Sequence, residues 1–447
     1  MARLPTVAII GKPNTGKSTL FNRLAGSRKA IVSKTPGTTR DHIATRVEGS
    51  SVDYLLIDTG GMGGGTEDRD LEDNVHRQSL LALENADLIL FTVDSRTDLT
   101  SSDMEIVSML RKRRQRHVPV ILIITKCDNL DDVDEILPQY YQLNITEEII
   151  PVSAPHKIGI EELQSTVEQQ LQAMNFTKLS VSESESQMPR IAIVGKPNVG
   201  KSSIVNALMS EGQRERSPLL VSDIPGTTRD TTDTRIRYHD QEYLFMDTAG
   251  LKRRKQTTTE IEVFAAFRSI RAIELADIVV LVLDATEPVT RQDKRIAATA
   301  IEEGKGLILA LNKWDLVASE QRAAVQTHMR SALQFCSFAP LLPCSAKTRD
   351  GLLKLFDLTA TVHANRQRRI ATKTLHTWFE DAVYGQSMTQ VVQTKHITQA
   401  KDVPPTFVLF VKDPKKIPVS QLRYLDNRLR KTFAFEGTPV RWITKQG

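Results

Sequence analysis

Apolar residues gather along this chain in short dense runs, among them LILFTV at 88–93, VPVILII at 118–124 and IVVLVL at 278–283. Such runs fall far short of the roughly 20 residues that a membrane-spanning helix needs. Their length and β-branched content predict strands buried on both faces of a parallel sheet. Two long stretches each read as a strand, a glycine loop, a helix, and then strands alternating with amphipathic segments, which predicts α/β domains with mainly parallel sheets. Between them, TKLSVSESESQMP at 177–189 is polar and lacks an apolar period, so it reads as a flexible linker. Further on the pattern changes. Leu375, Phe379 and Val383 share one helical face, FVLFV at 407–411 is a strand, Leu422, Leu425, Leu429 and Phe433 stripe a second helix that Gly437 is expected to end, and VRWI at 440–443 is a last strand. The expected division is 1–173, a linker at 174–189, a second α/β domain at 190–362, and a small α+β domain of order α-β-β-α-β at 363–447.

The two α/β stretches are copies. GKPNTGKSTL at 11–20 returns as GKPNVGKSSI at 195–204, TPGTTRD at 35–41 as IPGTTRD, and LLIDTGG at 55–61 as LFMDTAG. ADLILFTVD at 86–94 returns as ADIVVLVLD, ITKCD at 124–128 as LNKWD, and PVSA at 151–154 as PCSA. The offsets run 184, 189, 189, 190, 187 and 192, nearly constant across six blocks, which is a tandem duplication. The first jump falls where LAGSRKAIVSK becomes the longer LMSEGQRERSPLLVSD, an insertion in one loop.

Each block carries chemistry. The glycine loops (Gly11, Lys12, Pro13, Asn14, Thr15, Gly16, Lys17, Ser18 and Gly195, Lys196, Pro197, Asn198, Val199, Gly200, Lys201, Ser202) let backbone N–H groups converge on phosphate oxygens at a helix N-terminus. Lys17 and Lys201 would reach the β- and γ-phosphates, and Ser18 and Ser202 would hold Mg²⁺. A glycine turn that merely opens a helix is the plain alternative for one such loop, but not for two in register with five other blocks. Asp58, Thr59, Gly60, Gly61 and Met62, and likewise Asp247, Thr248, Ala249, Gly250 and Leu251, follow strands. Asp58 and Asp247 can hold the Mg²⁺ shell there, and Gly61 and Gly250 can offer an N–H to a γ-phosphate. Asn312, Lys313, Trp314 and Asp315 select the base. The Asp315 carboxylate can accept from N1–H and the N2 amino group of guanine, whereas adenine would leave it unsatisfied, so the nucleotide is GTP. In the first copy Thr125, Lys126, Cys127 and Asp128 take these places. The missing asparagine amide removes a donor, with an expected loss of about 0.5–1.5 kcal/mol in affinity. Ser153 and Ala154, with Ser345 and Ala346, would set a backbone N–H near the guanine oxygen.

Together these blocks resemble the TRAFAC GTPases. The tandem copies, PGTTRD in both, DTGG then DTAG, and a basic tail are similar to the Der (EngA) family of ribosome-assembly GTPases over essentially the whole chain. The resemblance implies two tandem P-loop G domains followed by a KH-like domain, hydrolysis of GTP to GDP with Mg²⁺, and a partner in the large (50S) ribosomal subunit and its rRNA. It implies that Thr39 and Thr228 complete the Mg²⁺ shell in the GTP state. A Ras-like GTPase places glutamine where this chain has Met62 and Leu251. In related GTPases that share the loop asparagine, it ligates a K⁺ ion that bridges the phosphates, which gives Asn14 and Asn198 that role; a turn residue is the other reading. The tail has no G-x-x-G, the loop by which ordinary KH domains clamp RNA, so it is expected to act through its basic surface or against the first G domain.

Charge strengthens the RNA reading. From His363 onward, fifteen basic residues face six acidic ones, a balance of +9 against −4 for the rest of a chain whose net charge is +5. A basic module on an acidic body favours a polyanionic partner. LKRRK at 251–255 is either a solvated face or an RNA contact that follows nucleotide state. Cys127, Cys336 and Cys344 form no C-x-x-C pair and read as free thiols of a reducing cytoplasm. The start has no apolar core of a signal peptide. The reading is a cytoplasmic, monomeric protein with no role for membrane or DNA. Two rivals remain: a tRNA-modification GTPase, which should carry a large extra domain, and a nucleotide-gated rRNA-binding scaffold in which turnover is incidental.

Overall fold

A computed structural model describes residues 4–25, 44–59, 86–113, 118–129, 133–178, 188–212, 219–222, 233–239, 241–246, 269, 271–383, 396–414 and 417–446. They belong to two compact units, one within Met1–Lys29 and Thr39–Val181, the other taking in Ser182–Gly447.

The first unit is built on a six-stranded sheet of order β2-β3-β1-β4-β5-β6, with β1 Thr6–Ile10, β2 Ala44–Val47, β3 Tyr54–Asp58, β4 Leu88–Asp94, β5 Val120–Thr125 and β6 Ile149–Val152. Every pairing is parallel except β2 with β3 at the edge. All five residues of β1 and all seven of β4 are buried, as expected for strands covered on both faces. Alternation sends Val7 and Ile9 to one core with Leu20 and Phe21 of α1 (Lys17–Leu24), and Ala8 and Ile10 to another with Ile106 and Val107 of α2 (Ser101–Arg113). Helices α3 (Val133–Tyr141) and α4 (Ile160–Ala173) also belong to this unit. Phe176 is buried in the first of these cores and Lys178 Nζ donates to the Gly49 carbonyl at 3.0 Å. The chain therefore stays packed on this unit beyond residue 173, because an aromatic side chain outweighs the polar composition around it.

The second unit repeats the plan in seven strands of order β13-β12-β11-β7-β10-β9-β8. These are β7 Arg190–Val194, β8 Leu219–Ser222, β9 Thr234–Tyr238, β10 Gln241–Met246, β11 Ile278–Asp284, β12 Gly306–Asn312 and β13 Leu341–Pro343. β8 lies at the sheet edge, and the matching residues 30–33 of the first copy lie outside the described residues. Helices α5 (Lys201–Gly212), α6 (Arg291–Glu302), α7 (Arg322–Ala332) and α8 (Lys354–Gln367) cover it.

The tail domain joins the same unit. Its order is α9 (Thr372–Val383), β14 (His396–Gln399), β15 (Thr406–Val411), α10 (Val419–Phe433) and β16 (Arg441–Gln446), the α-β-β-α-β expected. Leu375, Phe379, Leu425 and Leu429 pack on Ile397, Phe407 and Leu409. Two details differ from the sequence expectation. Helix α8 runs through the 362/363 boundary to Gln367, since no glycine or proline interrupts it and Val362, Asn365 and Arg366 are buried. Gly437 does not end α10. Ala434 takes the left-handed cap at φ 48°, and its N–H bonds the Arg430 carbonyl. Gly437, at φ 69°, is a joint instead: its N–H donates to Phe338 O at 2.8 Å and its carbonyl accepts from Leu307 N of β12 at 2.8 Å. A Cβ there would stand 2.2 Å from Val362 Cγ2, so only glycine fits.

The turn between β2 and β3 is held from α4. Glu168 accepts from Ser50 N at 3.0 Å, Ser50 Oγ at 2.7 Å, Ser51 N at 2.7 Å and Ser51 Oγ at 2.5 Å. Burial pushes its carboxyl upward, but the bonds from Ser51 and Ser50 outweigh that and hold it at about 2, below the ordinary 4.5. A folded value below the unfolded one gives stability that is complete above about pH 4.5 and lost as pH falls through about 2. Glu168→Gln should cost the first unit about 2–3 kcal/mol at neutral pH and flatten this acid limb. Urea unfolding of parent and variant at pH 7 and near pH 3 measures both effects.

Candidate functional site

In both copies the central strand releases the chain into a glycine loop that closes on its own lysine. After β1, Gly11 to Gly16 lead into α1, and Lys17 Nζ donates to Gly11 O at 2.9 Å and Lys12 O at 2.6 Å. Lys201 makes the same pair, to Gly195 O at 2.8 Å and Lys196 O at 2.6 Å. Burial lowers both ammonium groups, Lys201 to about 8, against the pull of Asp58 on Lys17 and of Asp293 on Lys201. Asn14 and Asn198 lie in the left-handed region at φ 64° and 63°, with exposed side chains. Asparagine tolerates that conformation, which accounts for the residue type through the turn alone and leaves each amide open to solvent.

Strand order brings the neighbouring block to this loop. β3 lies beside β1, so its last residue, Asp58, meets the start of α1: Ser18 Oγ donates to Asp58 Oδ2 at 2.7 Å. Thr59 Oγ1 donates to Ile9 O at 2.8 Å. A hydroxyl and a carboxylate in contact suit a hard cation that takes one or two protein oxygens and fills its shell from phosphate and water. Among the described residues, no group of three or more His, Cys, Asp or Glu is arranged for a metal. Thr39, Gly60, Gly61, Met62, Thr228, Asp247, Thr248, Ala249, Gly250, Leu251 and the LKRRK run lie outside the described residues, as does most of the linker.

The blocks expected to select the base start at the ends of β5 and β12, which lie beyond β4 and β11 in the sheets. Lys126 and Lys313 are left-handed at φ 61° and 62° and bond Asp94 and Asp284, each at 2.5 Å. These two aspartates close β4 and β11. Burial works to raise them, yet the lysine bonds, backbone N–H groups and lysine charge hold both below the usual carboxylate range. Sequence reading missed their role, although each is the last residue of a repeated block. Ser153 Oγ donates to Asp128 Oδ1 at 2.7 Å and Ser345 Oγ to Asp315 Oδ1 at 2.5 Å, so the serine block braces the carboxylate. The Ala346 N–H is donated to Asn312 Oδ1 at 3.0 Å, and Ala154 offers its carbonyl to Arg23 Nε of α1 at 2.7 Å. Cys127, Cys336 and Cys344 are free and buried.

At Thr125 the structure places a hydroxyl where the second copy has an amide. Asn312 Nδ2 donates to the loop carbonyl of Val199 at 2.8 Å. Thr125 Oγ1 lies 2.7 Å from the matching carbonyl, Thr15 O, and 2.8 Å from Val93 O, so a donor still faces the phosphate loop, with one proton to serve two carbonyls. Thr15 Oγ1 also lies 2.9 Å from Thr92 Oγ1, where the second copy has Val199 and Val282. Three buried hydroxyls thus replace two valines and an amide.

A phosphate loop and a carboxylate-bearing base block on the same sheet edge, built twice in one chain, define a GTPase with tandem G domains. The family described as "50S ribosome-binding GTPase" matches residues 6–126 and 190–313, and "KH-domain-like of EngA bacterial GTPase enzymes, C-terminal" matches 369–445. GTPase Der of Agathobacter rectalis is 40% identical over 99% of this chain and 98% of its own length. GTPase Der of Moorella thermoacetica is 41% identical over 99% of each. The chain belongs to the GTPase Der (EngA) family: it binds guanine nucleotide and hydrolyses GTP. No described helix is long and apolar enough to cross a membrane.

Thr125→Val keeps shape but removes the donor to Thr15 O. In a chain whose second site is silenced by Lys201→Ala, this change should weaken GDP binding about five- to tenfold, and Thr125→Ser should largely spare it. Titration with a fluorescent GDP analogue measures both.

Proposed function

We propose that this GTPase acts in the cytoplasm, as a monomer, in assembly of the large (50S) ribosomal subunit, turning over GTP at both G domains while its tail grips rRNA. The excess of basic charge in the tail carries this reading, together with its attachment to the second G domain. Arg423, Arg428 and Lys431 stand exposed on α10, and the Gly437 backbone holds the domain to β12. The descriptions of the matched families, which name 50S binding and a KH-like domain, support it.

In each G domain the loop residues would cradle the phosphates, with Lys17 or Lys201 giving up its own carbonyls for β- and γ-oxygens. Asp128 or Asp315 would read guanine, held in place by Ser153 or Ser345. Ser18 and Asp58, and Ser202 with Asp247, would hold Mg²⁺, completed by Thr39 and Thr228. The ion, when bound, supplies positive charge where the bond to the leaving oxygen breaks. The exposed amides of Asn14 and Asn198 would hold K⁺ beside the same oxygens, a role for which no glutamine stands at Met62 or Leu251.

Contacts between basic side chains and rRNA phosphates make binding fall steeply with salt. Replacing Arg423, Arg428 and Lys431 together by Gln should weaken association with the 50S subunit and lower the magnitude of the salt slope by about two to three. Guanine nucleotide binding should be unchanged. Pelleting with subunits across a salt series reads this, and undiminished association would refute the tail's role. Replacing K⁺ by Na⁺ at constant ionic strength should lower turnover at least about tenfold, equivalent to roughly 1.4 kcal/mol of barrier. Asn198→Ala should erase the second domain's share of that difference while GTP still binds. Equal rates in the two salts would leave the asparagines as turn residues only.

A further inference from the structure

The base-selecting carboxylate of the first G domain is engaged on both oxygens. Ser153 Oγ takes Oδ1 at 2.7 Å, and Arg96 Nη2 takes Oδ2 at 2.5 Å. His156 Nε2 stands 4.0 Å from Oδ1. The second domain has Thr348 where the first has His156, and it differs at a further side chain that bears on the carboxylate. Where the first has Arg96, it has Thr286, whose hydroxyl turns back to Asp284 Oδ1 at 2.7 Å. The backbone is the same in both, with Arg96 N donating to Asp94 Oδ1 at 3.0 Å and Thr286 N to Asp284 Oδ1 at 2.9 Å. Among the described residues, Asp315 keeps the serine brace that Asp128 also has, through Oδ1 at 2.5 Å.

Guanine presents N1–H and an N2 amino group side by side, a planar pair of donors that needs the two oxygens of one carboxylate edge. A guanidinium is a planar fork of donors that seeks the same edge. The side chains of Asp128 and Arg96 are 39% and 62% exposed, so their pairing uses the outward, solvent-facing edge that an entering base must also use. From this geometry we infer that Arg96 is a competitor built into the first site, which guanine must displace from Asp128 before the base is read. The inference rests on the assignment of Asp128 to guanine. It makes Arg96 a specificity and affinity determinant that the second site lacks. Displacing an exposed ion pair is a small handicap, about two- to fivefold in affinity. Because salt screens such a pair, the handicap shrinks as ionic strength rises.

The test compares GDP affinity in the full chain carrying Lys201→Ala, with and without Arg96→Thr, at about 0.05 M and 0.5 M salt. Arg96→Thr copies the second domain and leaves the Asp94 bond to the backbone in place. It should tighten GDP binding about two- to fivefold at low salt, with the two chains converging at high salt. Equal affinity at both salts would overturn the inference. Weaker binding by Arg96→Thr would also overturn it, since Arg96 would then be a contact to the base. Asp128→Asn is measured beside them: unchanged GDP affinity there would sink the guanine assignment itself, whereas a loss there with no effect of Arg96→Thr sinks only the competition.

Discussion

A buried hydrogen bond from the block that starts at Thr125 or Asn312 to the glycine loop is the constraint that joins the two halves of each candidate site. It runs from Asn312 to Val199 O in one copy and from Thr125 to Thr15 O in the other. The two loops it joins are about 110 residues apart in sequence, and each alone is a short turn with few contacts of its own. The bond fixes the distance between the part of the site suited to phosphate and the part suited to a base. Parallel strand order makes it possible: β1, β4 and β5 are adjacent, so their C-terminal ends open onto one edge. The lysine–aspartate pairs at Lys126 and Lys313 then lock the base-selecting turn in its left-handed form.

Duplication preserved that bond while changing the chemistry that makes it. One copy sets a single amide beside two valines, and the other sets three threonine hydroxyls at the same positions. In the polar version Thr15 Oγ1 bonds Lys12 O and Thr92 Oγ1 bonds Ile10 O, and the two hydroxyls lie 2.9 Å apart. Moving one residue between copies therefore changes more than that residue. The two sites also differ at their rims, where Arg96 or Thr286 decides what lies against the base-selecting carboxylate.

Most of this architecture was legible because it was written twice. Repetition separated the loop and its partner blocks from chance, and the apolar runs named the central strands. What stayed hidden was interaction across long sequence separation. Nothing local marks Thr15, Thr92 and Thr125 as neighbours, and only the sheet brings them together. The role of Asp94 and Asp284 was present in the repeated blocks but had no visible partner. Gly437 looked like a helix stop because glycine follows the last apolar position of α10, yet Ala434 supplies the left-handed turn and the glycine serves a close backbone approach. Helix α8 runs on past residue 362 to Gln367 without a breaker, which no local signal at 362 announces. The positions expected to respond to a γ-phosphate, Thr39, Thr228 and the residues after Thr59 and Met246, lie outside the described residues.

Strand β12 has a mechanical consequence. It begins beside the tail, where Leu307 N is bonded to Gly437 O, and it ends at Asn312, whose amide is bonded to the phosphate loop. Five residue steps of extended chain span about 17 Å. On one side β11 pairs with β12 along its whole length, and on the other β13 pairs with it toward its end, so it behaves as a stiff strut within a sheet. A load applied to the tail thus reaches the floor of the second nucleotide site by translation of a rod, with no hinge between them. Tail and site share one lever arm.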